Sequence, residues 1–182
     1  MPRYNTQSLF FLIVIFYALS IAIAQPIFAQ EKEGPYSQNS IFVEVLGQGV
    51  FYSINYDRRI TPDFSLRVGF TSWSITSILF LVPGELKFTA IPVTANYLAG
   101  GESAHHLELG IGLMPIFLTL QGDEEFFGSN VSGSGASVVG TATIGYRLQP
   151  PGGGILFRIG FTPLFTFKKF VPWGGISLGA AF

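Results

Sequence analysis

The sequence predicts an all-β chain: an eight-stranded antiparallel transmembrane β-barrel, an up-and-down meander, after an N-terminal signal peptide. Three observations carry this. Charged residues make up 12% of the 182 residues and hydrophobic ones 48%, whereas a soluble globular domain carries about 25% charge. Beyond residue 30 no run is apolar for long enough to form a transmembrane helix, which needs about 18 residues or more. Apolar side chains instead recur at every second position, the period of a strand, so that a barrel wall hides its hydrophobicity from any single window.

Composition removes several functions at once. The formal net charge is −1, without the basic stripe that displaces counterions from nucleic acid. With no cysteine in the chain, structural disulfides, thiolate metal sites, cysteine nucleophiles and a cysteine lipid anchor are excluded. The length suits one domain.

The first thirty residues differ from the rest. Arg3 is the only charge before Glu31, and Leu9 to Ile23 reads LFFLIVIFYALSIAI. A charged start, an apolar stretch and small residues after it form a signal peptide. Cleavage fits after Ala24 or after Ala29, and the second is preferred, giving a signal peptide over 1–29. The alternative, a retained anchor helix, needs about 20 apolar residues. Residues 30–39 are polar and predict a mobile periplasmic tail, with the barrel domain over 40–182.

Within that domain, Phe64, Leu66, Val68 and Phe70 alternate with Ser65, Arg67, Gly69 and Thr71. Leu107, Leu109, Ile111 and Leu113 alternate with Glu108, Gly110, Gly112 and Met114, and similar patterns run through 138–148, 155–162 and 175–182. A soluble sandwich or a lipocalin alternates too, but its second face carries Lys, Glu, Gln and Asp to meet water. Here the second face is glycine, Thr and Ser with about one charge per strand. Such a face suits the crowded bore of a narrow barrel, with the apolar face against lipid.

Both ends of a bacterial barrel lie in the periplasm, so the strand number is even and periplasmic turns are short. Strands are predicted at about 40–46, 50–57, 64–74, 86–98, 104–118, 136–148, 155–166 and 171–182. The links 58–63, 99–103 and 149–154 are periplasmic, and 75–85 and 119–135 extracellular. The first pair is short for a crossing of about 9–11 residues. Its alternative is one strand kinked at Gly47 and Gly49, which leaves seven strands and breaks parity.

In this register Glu44, Arg67, Glu108, Arg147 and Arg158 point inward near the periplasmic ends of their strands, with Asp57 close to an end. An eight-stranded bore is just wide enough to fill with side chains, and an unpaired buried ion costs several kcal/mol. A structural interior belt is therefore expected, Glu44 and Glu108 accepting from Arg67, Arg147 and Arg158 beside Asn55 and Asn96.

The run Phe42-Val-Glu-Val-Leu-Gly-Gln-Gly-Val-Phe-Tyr-Ser-Ile-Asn-Tyr-Asp-Arg58 resembles the opening of small outer-membrane β-barrel proteins of Gram-negative bacteria, of the OmpA/OmpX-like eight-stranded architecture. His106-Leu-Glu-Leu-Gly-Ile-Gly112, Gly145-Tyr-Arg147, Phe157-Arg-Ile-Gly-Phe-Thr-Pro163 and Pro172-Trp-Gly-Gly-Ile-Ser-Leu-Gly179 are similar to its later segments. The resemblance implies a fold and a location in the outer membrane, and brings no catalytic motif. The final strand, with Ile176, Leu178, Ala180 and Phe182 on one face, resembles the signal by which the barrel-assembly machinery recognises its substrates.

Other constellations carry less. His105-His106, the only histidines, sit at an expected periplasmic turn and read as a solvated pair; neighbours on a strand point to opposite faces and do not share a metal ion. Asp123-Glu124-Glu125 with Phe126-Phe127 read as a solvated extracellular loop, although three acids could take Ca²⁺. Gly152-Gly-Gly154 after Pro150-Pro151 is turn chemistry. Tyr56, Tyr97 and Tyr146 fall at the periplasmic interface, and Trp73 and Trp173 near extracellular ends. Lys168-Lys169 would face anionic headgroups. The expected protein is a monomeric, non-enzymatic barrel with no cofactor and no metal. Its expected partners are outer-membrane lipid, lipopolysaccharide and the assembly machinery, not nucleic acid. Alternatives are a lipid A-modifying enzyme and a narrow pore or small-molecule binder.

Overall fold

A computed structural model describes residues 36–78, 82–122, 132–166 and 168–182. The expected signal peptide with both cleavage sites, the tail as far as residue 35, and the acids and phenylalanines at 123–127 lie outside the described residues. One antiparallel sheet closes on itself. Its elements are β1 (Asn39–Leu46), β2 (Tyr52–Thr61), β3 (Phe64–Ile78), β4 (Val82–Ala90), β5 (Val93–Ala99), β6 (His105–Gly122), β7 (Ser132–Leu148), β8 (Gly154–Phe161), β9 (Leu164–Phe165), β10 (Phe170–Val171) and β11 (Gly174–Ala181).

These eleven elements make eight staves. β4 and β5 both pair between β3 and β6, β8 and β9 both pair with β7, and β10 and β11 are the two parts of the last stave. The breaks fall at Pro92, Pro163 and Pro172. Proline has no N–H to give the ladder, yet the carbonyls of Pro92 and Pro163 still accept from Gly69 N at 2.8 Å and Ala142 N at 3.3 Å. The staves therefore continue across their breaks. Closure is between β1 and β11, in register from Ser40↔Ala181 to Leu46↔Gly175.

The stretch 40–57 supplies two strands, so the kinked single strand is excluded. They are joined by a 3-10 turn over Gly47–Gly49 that folds into the bore, all three residues buried. Leu46 at φ 61° and Val50 at φ 70° flank it in the left-handed region, rare for a β-branched residue. Local bonds hold them there: Leu46 N donates to Phe51 O at 2.7 Å and Gln48 N to Glu44 Oε2 at 3.0 Å. Gly47 itself, at φ 61°, has no room for a Cβ beside the Glu44 carboxylate.

Other boundaries move. β2 runs through a bulge between Arg59 and Thr61, so the link expected at 58–63 shrinks to Pro62-Asp63. The tail expected over 30–39 is tied down where it is described: Asn39 is already in β1, and the buried Ser37 donates to Pro150 O at 3.0 Å. The wall is uneven. β6 and β7 have 18 and 17 residues and β1 and β11 only 8. At about 3.4 Å per residue and a tilt near 40°, β6 rises about 45 Å, against an apolar band of about 25 Å. The β6–β7 hairpin thus stands well above the rim set by β1 and β11.

Candidate functional site

Inward-facing positions fill the bore in two layers. Toward the short-turn end, six charges meet. Arg67 Nη2 donates to Glu44 Oε2 at 2.6 Å, and Arg158 grips Glu108 with two bonds, Nε to Oε2 at 2.7 Å and Nη2 to Oε1 at 2.8 Å. Arg147 Nη2 donates to Asp57 Oδ1 at 2.6 Å, with Nη1 3.6 Å from Glu108. Arg158 Nη1 lies 4.0 Å from Glu44. The structure thus brings Glu44, Arg67, Glu108, Arg147 and Arg158 together, all but excluded from solvent.

Asp57 is the member that parity alone left at the edge. It makes the belt three acids against three arginines, and it accepts from Ser65 Oγ at 2.8 Å. Asn55 accepts from Arg67 Nε at 2.9 Å, while Asn96 reaches Asp57 only at 3.5 Å. Arg147 and Arg158 stand directly opposite each other on β7 and β8. Two like charges at that spacing repel, and Glu108, facing both from β6, is the group that lets them coexist. Phe42 lies between two guanidiniums, 5.1 Å from Arg67 and 4.8 Å from Arg158, a geometry in which the ring faces attract the cations.

Glycines make this crowding possible. Gly145, Gly160 and Gly175 are ladder partners across β7, β8 and β11, and a Cβ on Gly175 would stand 2.6 Å from the Cα of Gly47. The space left beside Arg158, Glu44, Thr143 and Ser177 is a cavity of about 10 Å³, room for one water at most. Above the belt the bore turns apolar: Phe88, Ala90 and Met114 are buried, with Val50, Trp73, Ile116, Val139 and Leu164 packed on them. Trp73 stacks on Phe88 at 4.6 Å and meets Phe51 edge-on at 4.7 Å. It is therefore a filler of the bore.

The outer wall carries the other half of the alternation. Val68, Leu109, Ile111, Ile159 and Leu178 face out, Ile111 with 67% of its surface exposed. Tyr56, Tyr97 and Tyr146 are exposed at the short-turn end, the depth of an interfacial girdle.

The histidines are not the solvated pair expected. His105 faces out and pairs its Nδ1 with Tyr146 Oη at 2.6 Å, whereas His106 points into the bore and is buried. Arg59 is likewise an interior residue that the sequence assigned to a link. Its Nη2 donates to Gly101 O at 2.9 Å and to Pro62 O, and its guanidinium lies 4.5 Å over the Tyr36 ring. It continues the inward alternation of Ser53, Asn55 and Asp57, because β2 stays in register through Arg59↔Ser65 and bulges only beyond it. Gln48 and Gln149 are also buried, Gln149 accepting from Arg147 Nε at 2.8 Å. Among the described residues no three His, Asp or Glu side chains converge as metal ligands.

No family model and no curated protein matches the chain. Solved structures do. The N-terminal β-barrel domain of Pseudomonas aeruginosa OprF superposes with a TM-score of 0.53 at 15% identity, over 80% of this chain and 99% of that one. Ail, the attachment invasion locus protein of Yersinia pestis, superposes at 0.50 with 16% identity, over 80% of this chain and 97% of its own. At such identities the likeness is one of fold. With its closed eight-stave ring, charged bore and apolar wall, the chain is a β-barrel of the outer-membrane kind.

Proposed function

We propose that the protein is a monomeric, non-catalytic barrel of the outer membrane whose role is structural or lies in contacts at the cell surface. The observation that carries this reading is the closed bore. Six paired charges and an apolar layer occupy the interior, and the cavity beside Glu44, Glu108 and Arg158 holds about 10 Å³. A path for solutes or ions would require parting ion pairs buried away from water, which costs several kcal/mol for each.

In the orientation usual for such barrels the short turns face the periplasm and the long links the exterior. The tall β6–β7 hairpin then projects outward and is the part available to a surface partner. Lys168 and Lys169, exposed beside Thr166, would face lipopolysaccharide, and the last stave ending at Phe182 would be read by the assembly machinery. Lipid A chemistry calls for a base near the outer leaflet. Both histidines lie at the opposite end, one of them bonded to Tyr146, which favours the non-catalytic reading.

The test is electrical and chemical. Refolded protein in planar bilayers is expected to give no unitary conductance steps. Incubation with lipid A is expected to leave its mass spectrum unchanged. Reproducible steps, or a shifted lipid A mass dependent on His105 or on a loop serine, would overturn the proposal.

A further inference from the structure

At the short-turn mouth, below the balanced belt, one buried cation has no ion-pair partner among the described residues. Arg59 is 2% exposed, and its Nε and Nη1 have no hydrogen-bond partner. No carboxylate among the described residues lies within 4.0 Å of it, the reach of an ion pair. Asp57 is held by Arg147 and Ser65 and Glu108 by Arg158, and among the described residues Asp63 forms no ion pair. Buried cations without a counter-charge are costly and are found paired.

His106, 1% exposed, also has both Nδ1 and Nε2 unpartnered. Two contacts put them on one turn. Arg59 Nη2 bonds Gly101 O at 2.9 Å, and a Cβ on Gly100 would stand 3.1 Å from His106 Nδ1. The charges that act on the His106 ring are those of Arg59, Arg147, Glu108 and Asp63, two cations and two acids. Arg147 and Glu108 answer each other within the belt. That leaves Arg59 and Asp63, which form no ion pair with each other.

Two unsatisfied guanidinium nitrogens and an unsatisfied imidazole are the donors that recognise an oxyanion, through short charge-assisted bonds. We propose that the short-turn mouth of the barrel binds one small oxyanion, a phosphate, sulfate or carboxylate group, between Arg59 and His106. Tyr36 on one side and the Gly100–Gly101 turn on the other form its rim. The site is independent of the closed-bore reading, since it lies beneath the belt and requires no passage through it.

The chain has only two histidines, so the ring resonances of untagged protein, refolded in nanodiscs, report the site directly. Titration with inorganic phosphate is expected to shift one histidine saturably in the millimolar range, and the His105→Gln variant to keep that shift. Arg59→Gln is expected to weaken binding at least about tenfold, the loss of one charge-assisted bond. Arg59→Lys, which keeps the charge, is expected to retain weaker saturation. Acetate and sulfate titrations separate carboxylate from tetrahedral ligands. A linear drift of both histidines with ionic strength, a shift lost in His105→Gln, or affinity unchanged in both Arg59 variants would overturn the proposal.

Discussion

Replacing Glu108 by Gln probes the belt where it bears most. The carboxylate takes both bonds of Arg158, at 2.7 and 2.8 Å, and faces Arg147 Nη1 at 3.6 Å. Glutamine keeps one acceptor oxygen but turns an N–H₂ toward the guanidiniums. The belt then holds three arginines against two acids, and the two opposed arginines of β7 and β8 lose the charge between them. Removing one partner of a buried pair costs about 3–5 kcal/mol, and the retained oxygen places the expected loss near the lower figure. The assay is reversible urea unfolding in lipid vesicles, followed by the fluorescence of Trp73 and Trp173. The double variant Glu108→Gln with Arg158→Met removes the stranded cation and is expected to recover stability, giving a coupling energy of about 1–3 kcal/mol. An unchanged midpoint for Glu108→Gln, or strict additivity in the double variant, would refute the belt as a network of interacting charges.

Further outcomes follow from the same structure. Ile159→Arg and Leu109→Arg place a cation on the outer wall and are expected to cost about 2–4 kcal/mol in the vesicle assay if those positions lie near the bilayer midplane; a neutral result would mean that this face is not in lipid. Gly179→Val puts side-chain carbon into the carbonyl of Ile41 and the side chain of Phe42 across the β1–β11 seam. It is expected to block closure, so that the unheated sample migrates like the boiled one on a gel, while Gly133→Val, with open space around it, leaves the compact band intact.

The period of two was readable because each stave has one face against lipid and one against a bore too narrow for water. That constraint acts on every residue from Phe64 to Phe70 and from Leu107 to Met114 alike. It also put Glu44, Arg67, Glu108, Arg147 and Arg158 on one side. Partner choice was not readable, because pairing across a barrel depends on the stagger of distant strands. Arg67 turns to Glu44 on β1, although Asp57 is its ladder partner on β2, and Arg147 takes Asp57 instead. Arg59 and His106 continue the inward alternation of Asp57 and Glu108, and escaped because the strands were expected to give way to the links 58–63 and 99–103 beside them. The top of β7 ran longer than expected because both of its faces are exposed from Ser132 to Val138, and Ser-Gly alternation there looks like a loop.

Which face of the wall is wet is decided most directly by site-directed spin labelling. With no native cysteine, single-cysteine variants from Leu107 to Leu113 in lipid vesicles can be scanned for collision with oxygen and with a water-soluble nickel chelate. Oxygen access is expected to peak at 107, 109, 111 and 113 and to fall at 108, 110 and 112, with the chelate excluded from the peaks. Chelate access peaking at the odd positions would contradict it, because Leu109 and Ile111 would then face water.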